Sequence, residues 1–183
     1  GVQTCALPIS KGGMAVVMHV RIGDILASAT AQGRQDGGRA ELGNPGYNRT
    51  LMDTFEPGST AKVITFSAAL DAGAITPDTV LDVEPTLTIG QGQYRKTYED
   101  PWHGDTRLRP VDILSRSLNV GTMKVARLVG RPALDMMFRR YGLGQKTPVD
   151  FPEQQAGILP TDPYESTFLG SAIGYGVSVK PFV

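Results

Sequence analysis

Cysteine is almost missing: Cys5 is the only one in 183 residues, so no internal disulfide can form. A lone cysteine fits any redox compartment and decides none. Histidine is nearly as scarce. His19 and His103 stand far apart, and with one Cys they give no metal-ligand spacing, which argues against zinc. Charge of neither sign dominates, since 18 Lys and Arg balance 18 Asp and Glu. The chain thus offers no positive field for nucleic acid and no basic tract for an anionic membrane. No stretch reaches the eighteen or so consecutive apolar residues of a membrane span, and no cofactor motif, internal repeat or low-complexity segment is present.

What is present fits one ordinary domain with a real core: 40% of the residues are hydrophobic and 20% charged. The 22 glycines and 13 prolines predict many turns. Residues 1–12 stand apart. Gly1 to Ser10 show no clear period, Pro8 interrupts their apolar run, and they lack the charged start and long apolar core of a signal peptide. They are expected to be disordered or foreign to the domain, which then occupies 13–183.

Met14 to Val20 and Ile25 to Ala29 read as two strands of a hairpin, joined through Arg21-Ile22-Gly23-Asp24. Residues 32–50 read as an irregular loop. Pro57-Gly58 is a turn, and a helix is expected over about 59–72 with Gly73 just past its end. Short strands are expected at Val80–Val83 and Leu87–Ile89. Pro110 suits the first turn of a helix ending near Arg116, and Ser117-Leu118-Asn119 breaks it. Val120 to Val129 is a further helical run, and Pro132 begins another that stops at Gly142. Residues 143–163 are punctuated by Pro and Gly. Thr167 to Ile173 is short and apolar, and Gly174-Tyr175-Gly176 is a turn. A hairpin, a buried helix and a cluster of short helices make an α+β fold, with the helices segregated from the sheet.

The chemistry concentrates around Ser59 and Lys62. At about 100° per residue, Ser59, Lys62, Val63, Phe66 and Leu70 share one narrow helical stripe. An apolar stripe faces the core, which would put the hydroxyl and the amine on the floor of a cleft. A buried lysine is costly to keep charged. That cost falls if the amine is neutral and serves as a base, and serine needs such a base to become a nucleophile. The Ser59 N–H, in the first turn, is a free donor for an oxyanion hole. Ser-x-x-Lys alone is a weak pattern, because random matches usually hold a surface serine and a solvated lysine. Ser117-x-Asn119 is weaker still: a hydroxyl and an amide could serve chemistry there, or either residue could simply cap the helix that follows. Trp102 reads as packing, Tyr175 equally as core or cleft, and Asp100 and Asp105 as loop caps.

Taken together, Phe55-Glu56-Pro57-Gly58-Ser59-Thr60-Ala61-Lys62 and Ser115-Arg116-Ser117-Leu118-Asn119-Val120-Gly121 resemble the first two motifs of the penicillin-recognising serine enzymes. Within these, the chain is similar to the class B penicillin-binding proteins, and among them to the septal, cell-division branch. The hairpin Ala15 to Ala27, the stretch Tyr141 to Thr147 with Gly157-Ile158-Leu159-Pro160, and Gly174 to Val179 extend the likeness in the family's order. The resemblance implies the transpeptidase fold, cut short of its later sheet strands. It implies an acyl-enzyme on Ser59 formed from the penultimate D-Ala of a peptidoglycan stem peptide. Lys62 would take the proton, Ser117 would pass it to the leaving D-Ala, and Asn119 would hold Lys62 and the substrate amide. β-Lactams, which resemble D-Ala-D-Ala, would trap Ser59. Implied partners are stem peptides and, for the parent protein, cell-division or cell-wall synthesis proteins. The implied place is the outer face of the bacterial cytoplasmic membrane.

The chain also departs from that family. The third motif, Lys-Thr/Ser-Gly on a strand beside the nucleophile, has no counterpart. Lys146-Thr147-Pro148 falls in a loop with a proline that cannot donate to a ladder, and Lys96-Thr97-Tyr98 precedes the second motif. After Gly176 the family usually continues with Thr-Pro and a helix, where this chain has Val179-Lys180-Pro181. The resemblance also implies a membrane anchor and a non-catalytic domain in the parent protein, which these residues are not expected to include. These residues alone are therefore expected to turn over poorly. Alternative readings are a D,D-carboxypeptidase, a β-lactamase, a β-lactam sensor, or a scaffold that kept the fold without the activity. For a β-lactamase of the class A type, Glu153 and Glu165 would be the available carboxylates, but nothing around them repeats that motif.

Overall fold

Small and β-branched residues make up most of the first hairpin. Strand β1 (Gly12–Met18) pairs antiparallel with β2 (Ile25–Gln32), with Ala15 opposite Ala29 and a shift of register between Val17 and Met18. The connection runs from His19 to Asp24, longer than the four residues expected. It closes when the His19 carbonyl accepts from the N–H groups of Ile22 and Gly23. This computed structural model describes residues 12–32, 41–42, 48–101, 104, 106–148, 151 and 154–181. The expectations for residues 1–10, Trp102, His103, Asp105 and Glu153 lie outside the described residues.

The described parts of Gly1–Thr54, Lys146–Ala156 and Lys180–Val183 form one compact unit. Two of its elements were not foreseen within the loop expected over 32–50. Strand β3 (Glu41–Leu42) adds to β2 through Ala31 and Gln32. Helix α1 (Arg49–Met52) is capped by the Asn48 side chain, which accepts from the Thr50 N–H. Ser28 on β2 meets buried Thr50 on α1, hydroxyl to hydroxyl, at 2.7 Å. Asn48 is what a composition-based reading of a Gly- and Asn-rich stretch undervalues, because one side chain suffices to start a single turn.

Phe55–Gln145 and Gly157–Val179 form the second unit, which holds the site. A 3₁₀ turn (Gly58–Ala61) leads into α2 (Lys62–Asp71). The helix ends as Gly73 predicts: at φ 65° it places its N–H on the Leu70 carbonyl while Ala74 reaches the Ala69 carbonyl. Next come β4 (Leu81–Asp82), β5 (Thr86–Ile89), β6 (Lys96–Glu99) and β7 (Arg107–Leu108). β4 pairs with β7 and β5 with β6, all antiparallel. Then follow α3 (Pro110–Ser115), α4 (Asn119–Val129), α5 (Arg131–Arg140) and α6 (Glu165–Ala172). The segment from Thr167 is thus the body of a helix. Among the described residues, no helix is long and apolar enough to cross a membrane.

The expected stripe of α2 needs correction. Lys62 and Phe66 are buried, but Val63 and Leu70 are 50% and 46% exposed, and Ser59 is exposed. The reason is twofold. The first turn is 3₁₀, so about 100° per residue miscounts from Ser59. And α2 is buried on two sides. Ile64 and Ala68 join a cluster with Met123, Leu134, Phe138 and Leu169, while Phe66 and Ala69 join another with Ile75, Ile113, Leu118 and Val125. A helix wedged between two clusters leaves only a narrow solvent stripe, here through Val63 and Leu70. Each fully buried large side chain in these clusters contributes about 1.5–3 kcal/mol relative to exposure.

Candidate active site

Four backbone decisions assemble the site. Gly58 takes φ 56°, turning the chain so that Ser59 stands at the surface on the 3₁₀ turn and Lys62 points inward from the first residue of α2, 1% exposed. Arg116 ends α3, and Ser117 follows in a left-handed conformation, φ 55°. That costs a non-glycine residue about 1–3 kcal/mol and is found where surrounding structure enforces it. Here the enforcement comes from Ser117 N–H to the Leu114 carbonyl and Leu118 N–H to the Ile113 carbonyl, both 3.0 Å. Asn119 then opens α4.

The turn brings Ser117 onto Lys62. Lys62 Nζ donates to the Ser117 carbonyl at 2.5 Å and lies 3.1 Å from Ser117 Oγ. Burial pushes the Lys62 amine below its ordinary pKa, and the negative charge of Asp100 opposes part of that shift. Asn119 is at the same corner, but its hydrogen bond runs from the backbone: Asn119 N–H donates to Asp100 Oδ1 at 2.6 Å and Val120 N–H to Oδ2 at 2.9 Å. Neither Ser117 nor Asn119 therefore caps α4 with its side chain. Asp100, 2% exposed and next after β6, does so from nineteen residues upstream. Sequence reasoning placed Asp100 in a loop cap and missed which turn it caps. An isolated Asp between a strand and Pro101 gives no sign of its distant partner.

The turn Gly174-Tyr175-Gly176 forms as expected and docks on the segment before Ser59. Gly58 N–H donates to the Gly174 carbonyl at 3.2 Å, Glu56 Oε1 accepts from Gly176 N–H at 2.8 Å, and Phe55 pairs with Val179. Thr65 Oγ1, from α2, donates to the Ala172 carbonyl at 2.7 Å and fixes α6 just before the turn. Tyr175 is exposed and Lys96 Nζ lies 6.0 Å from its ring centre, which favours the cleft over the core for this ring. A pocket of about 490 Å³ between Ile89–Gln91 and Tyr164–Ser166 includes none of the four candidate residues. No three His, Cys, Asp or Glu side chains gather as a metal site among the described residues.

The arrangement is a surface hydroxyl, a buried amine three residues on, and a second hydroxyl held against that amine. The same backbone is found in solved penicillin-binding proteins. The structure of penicillin binding protein 3 from Mycobacterium tuberculosis complexed with aztreonam superimposes with a TM-score of 0.79 at 32% identity, over 96% of this chain and 40% of that one. A peptidoglycan synthetase from Bifidobacterium adolescentis gives 0.75 at 27%, over 94% and 31%. The α+β fold is therefore that of a penicillin-binding-protein transpeptidase domain.

The model of the penicillin binding protein transpeptidase domain matches residues 13–183, and the chain belongs to that family. Penicillin-binding protein PbpB of Mycolicibacterium smegmatis is 35% identical over 179 residues, covering 93% of this chain and 26% of the relative. Peptidoglycan D,D-transpeptidase FtsI of Escherichia coli is 29% identical over 178 residues, covering 94% and 29%. The chain thus spans between a quarter and a third of the length of these relatives.

Proposed function

We propose that these residues belong to a peptidoglycan D,D-transpeptidase working through an acyl-enzyme on Ser59. The observation that carries this reading is the buried Lys62 amine, depressed in pKa by burial and bonded to Ser117, one short turn from the exposed Ser59 hydroxyl. Burial favours the neutral, proton-accepting form of an amine so placed more than that of an exposed lysine.

In the first half-reaction, Ser59 Oγ attacks the carbonyl carbon of the penultimate D-Ala as its proton passes to Lys62 Nζ. The new C–O bond forms, the amide C–N bond breaks, and the proton travels through Ser117 Oγ to the departing amine of the terminal D-Ala. In the second, the amine of another stem peptide attacks the ester and gives up its proton by the same route, and Ser59 leaves as the hydroxyl. Asn119, at the first position of α4, is assigned to the substrate amide. A β-lactam enters the first half-reaction and stays, because its amine remains tethered. The relatives named FtsI support a role in division, and with it a place on the outer face of the cytoplasmic membrane beside cell-wall synthesis partners.

The test is to incubate the full-length protein with a fluorescent penicillin and follow covalent labelling. Labelling at one site, lost in Ser59→Ala, is the expected result. Retention of labelling in that variant would sink the assignment. Rapid release of the label with hydrolysis of the drug would turn the reading to a β-lactamase.

A further inference from the structure

We propose that Asp100 is a positioning residue for acylation: its carboxylate locks the Ser117-x-Asn119 corner to the hairpin strand β6 and sets the electrostatic environment of the base. The proposal rests on the reading of Ser59 and Lys62 given above.

Three observations point to it. The carboxylate is 2% exposed, and a buried acid is retained only where its oxygens are satisfied. Both are: one takes the Asn119 N–H and the other the Val120 N–H, and Asp100 is itself held by its N–H on the Pro85 carbonyl. The two N–H groups it takes flank the corner directly after Ser117, the residue in left-handed conformation that grips Lys62. On its other side this corner is tied to α3 through Leu114 and Ile113. Asp100 is therefore the second of two anchors on a three-residue turn that contains both candidate groups of the second motif. A capping side chain within the turn could not do this, because the N-cap residue, Leu118, is apolar.

The third observation is charge. Asp100 is the group whose charge acts on Lys62, favouring the protonated amine against burial. The charged groups on the helices packed against α2 face elsewhere: Asp112 to Arg109, Lys124 to Glu84, Arg127 to Glu165, Arg140 to Asp71, and Asp135 to Arg131 and Arg139. Without Asp100, the amine would lose its proton more readily and would also be less well placed. A mere helix cap would do neither.

The experiment measures the acylation rate constant of the full-length protein by fluorescent penicillin across pH, for wild type, Asp100→Asn and Asp100→Glu, with Ser59→Ala alongside. In Asp100→Asn the plateau rate is expected to fall about ten- to a hundredfold, the scale of an ångström-level misplacement. Its rising limb should also move to lower pH, because the charge favouring the protonated amine is gone. Asp100→Glu keeps the charge, so its limb should stay near wild type with an intermediate plateau. An unmoved limb in Asp100→Asn would reduce Asp100 to a cap and overturn the proposal. Failure of both variants to fold would overturn it too, since Asp100 would then be holding the fold rather than the site. Labelling that persists in Ser59→Ala would instead strike at the nucleophile assignment, whatever the Asp100 variants do.

Discussion

Lys62 and Ser117, fifty-five residues apart, are joined twice: the amine donates to the Ser117 carbonyl and lies within hydrogen-bond distance of its hydroxyl. The carbonyl is available because Ser117 is left-handed, and the hydroxyl because the same conformation turns the side chain toward α2. One strained residue therefore supplies both oxygens that the Lys62 amine meets.

The first consequence concerns Lys62→Met, which keeps most of the volume and removes the charge. A buried ionisable group is weak evidence for stability. The variant is expected to melt at or above the wild-type temperature while acylation falls about a hundredfold to ten-thousandfold, the usual worth of a general base. Thermal unfolding and penicillin labelling on the same samples check both halves. A large fall in melting temperature would show that the amine is structural.

Lys62 also sets a pH dependence of stability. Burial holds its folded pKa below the ordinary 10.5, so between the two values the unfolded chain binds more protons than the folded one. This group's penalty is full below the window, shrinks as pH rises through it, and is gone above 10.5. Denaturant titrations across alkaline pH should show that rising contribution in wild type and not in Lys62→Met.

Gly174 cannot take a side chain. A Cβ there would lie 1.9 Å from the Gly58 carbonyl oxygen, and its φ of 86° is unfavourable for any L residue. Gly174→Ala is expected to cost about 3 kcal/mol or more and to slow acylation, because Gly58 must move and Ser59 moves with it. Gly176→Ala meets open space at φ 72°, and should cost only about 1–2 kcal/mol from the backbone. Equal losses in the two variants would contradict the close approach.

Thr65 ties α2 to the end of α6 with a buried hydroxyl. Thr65→Val retains shape but strands the Ala172 carbonyl, at an expected cost of about 1–3 kcal/mol. Thr65→Ser retains the bond and loses one methyl, about 0.8 kcal/mol. Chemical denaturation ranks them, and a valine variant more stable than the serine one would refute the role of the bond.

The helices were legible in the sequence because their punctuation is local. Pro110, Pro132, Gly73 and Gly142 mark starts and stops by their own backbone preferences, and the structure agrees within a residue or two. Ser59 and Lys62 were legible as a pair three residues apart, but not the direction of their helix. Burial of α2 from two sides depends on α4, α5 and α6, which no count along α2 contains. β6 and β7 were missed because Lys96–Glu99 and Arg107–Leu108 are short and largely polar, and form strands only through partners seven or more residues away. Asp100 was invisible for the same reason: its meaning lies in two N–H groups nineteen and twenty residues downstream.

The bond from Gly176 N–H to Glu56 spans 120 positions of sequence. At about 5–20 residues per second of synthesis, roughly 6–24 seconds separate the emergence of these two groups from a ribosome. The turn that presents Ser59 is thus translated early and fastened late. Until the glycine turn arrives, the nascent chain holds Ser59 without the strut between Glu56 and Gly176. The segment around Ser59 is in this way left unfastened until nearly the whole of this unit has been made.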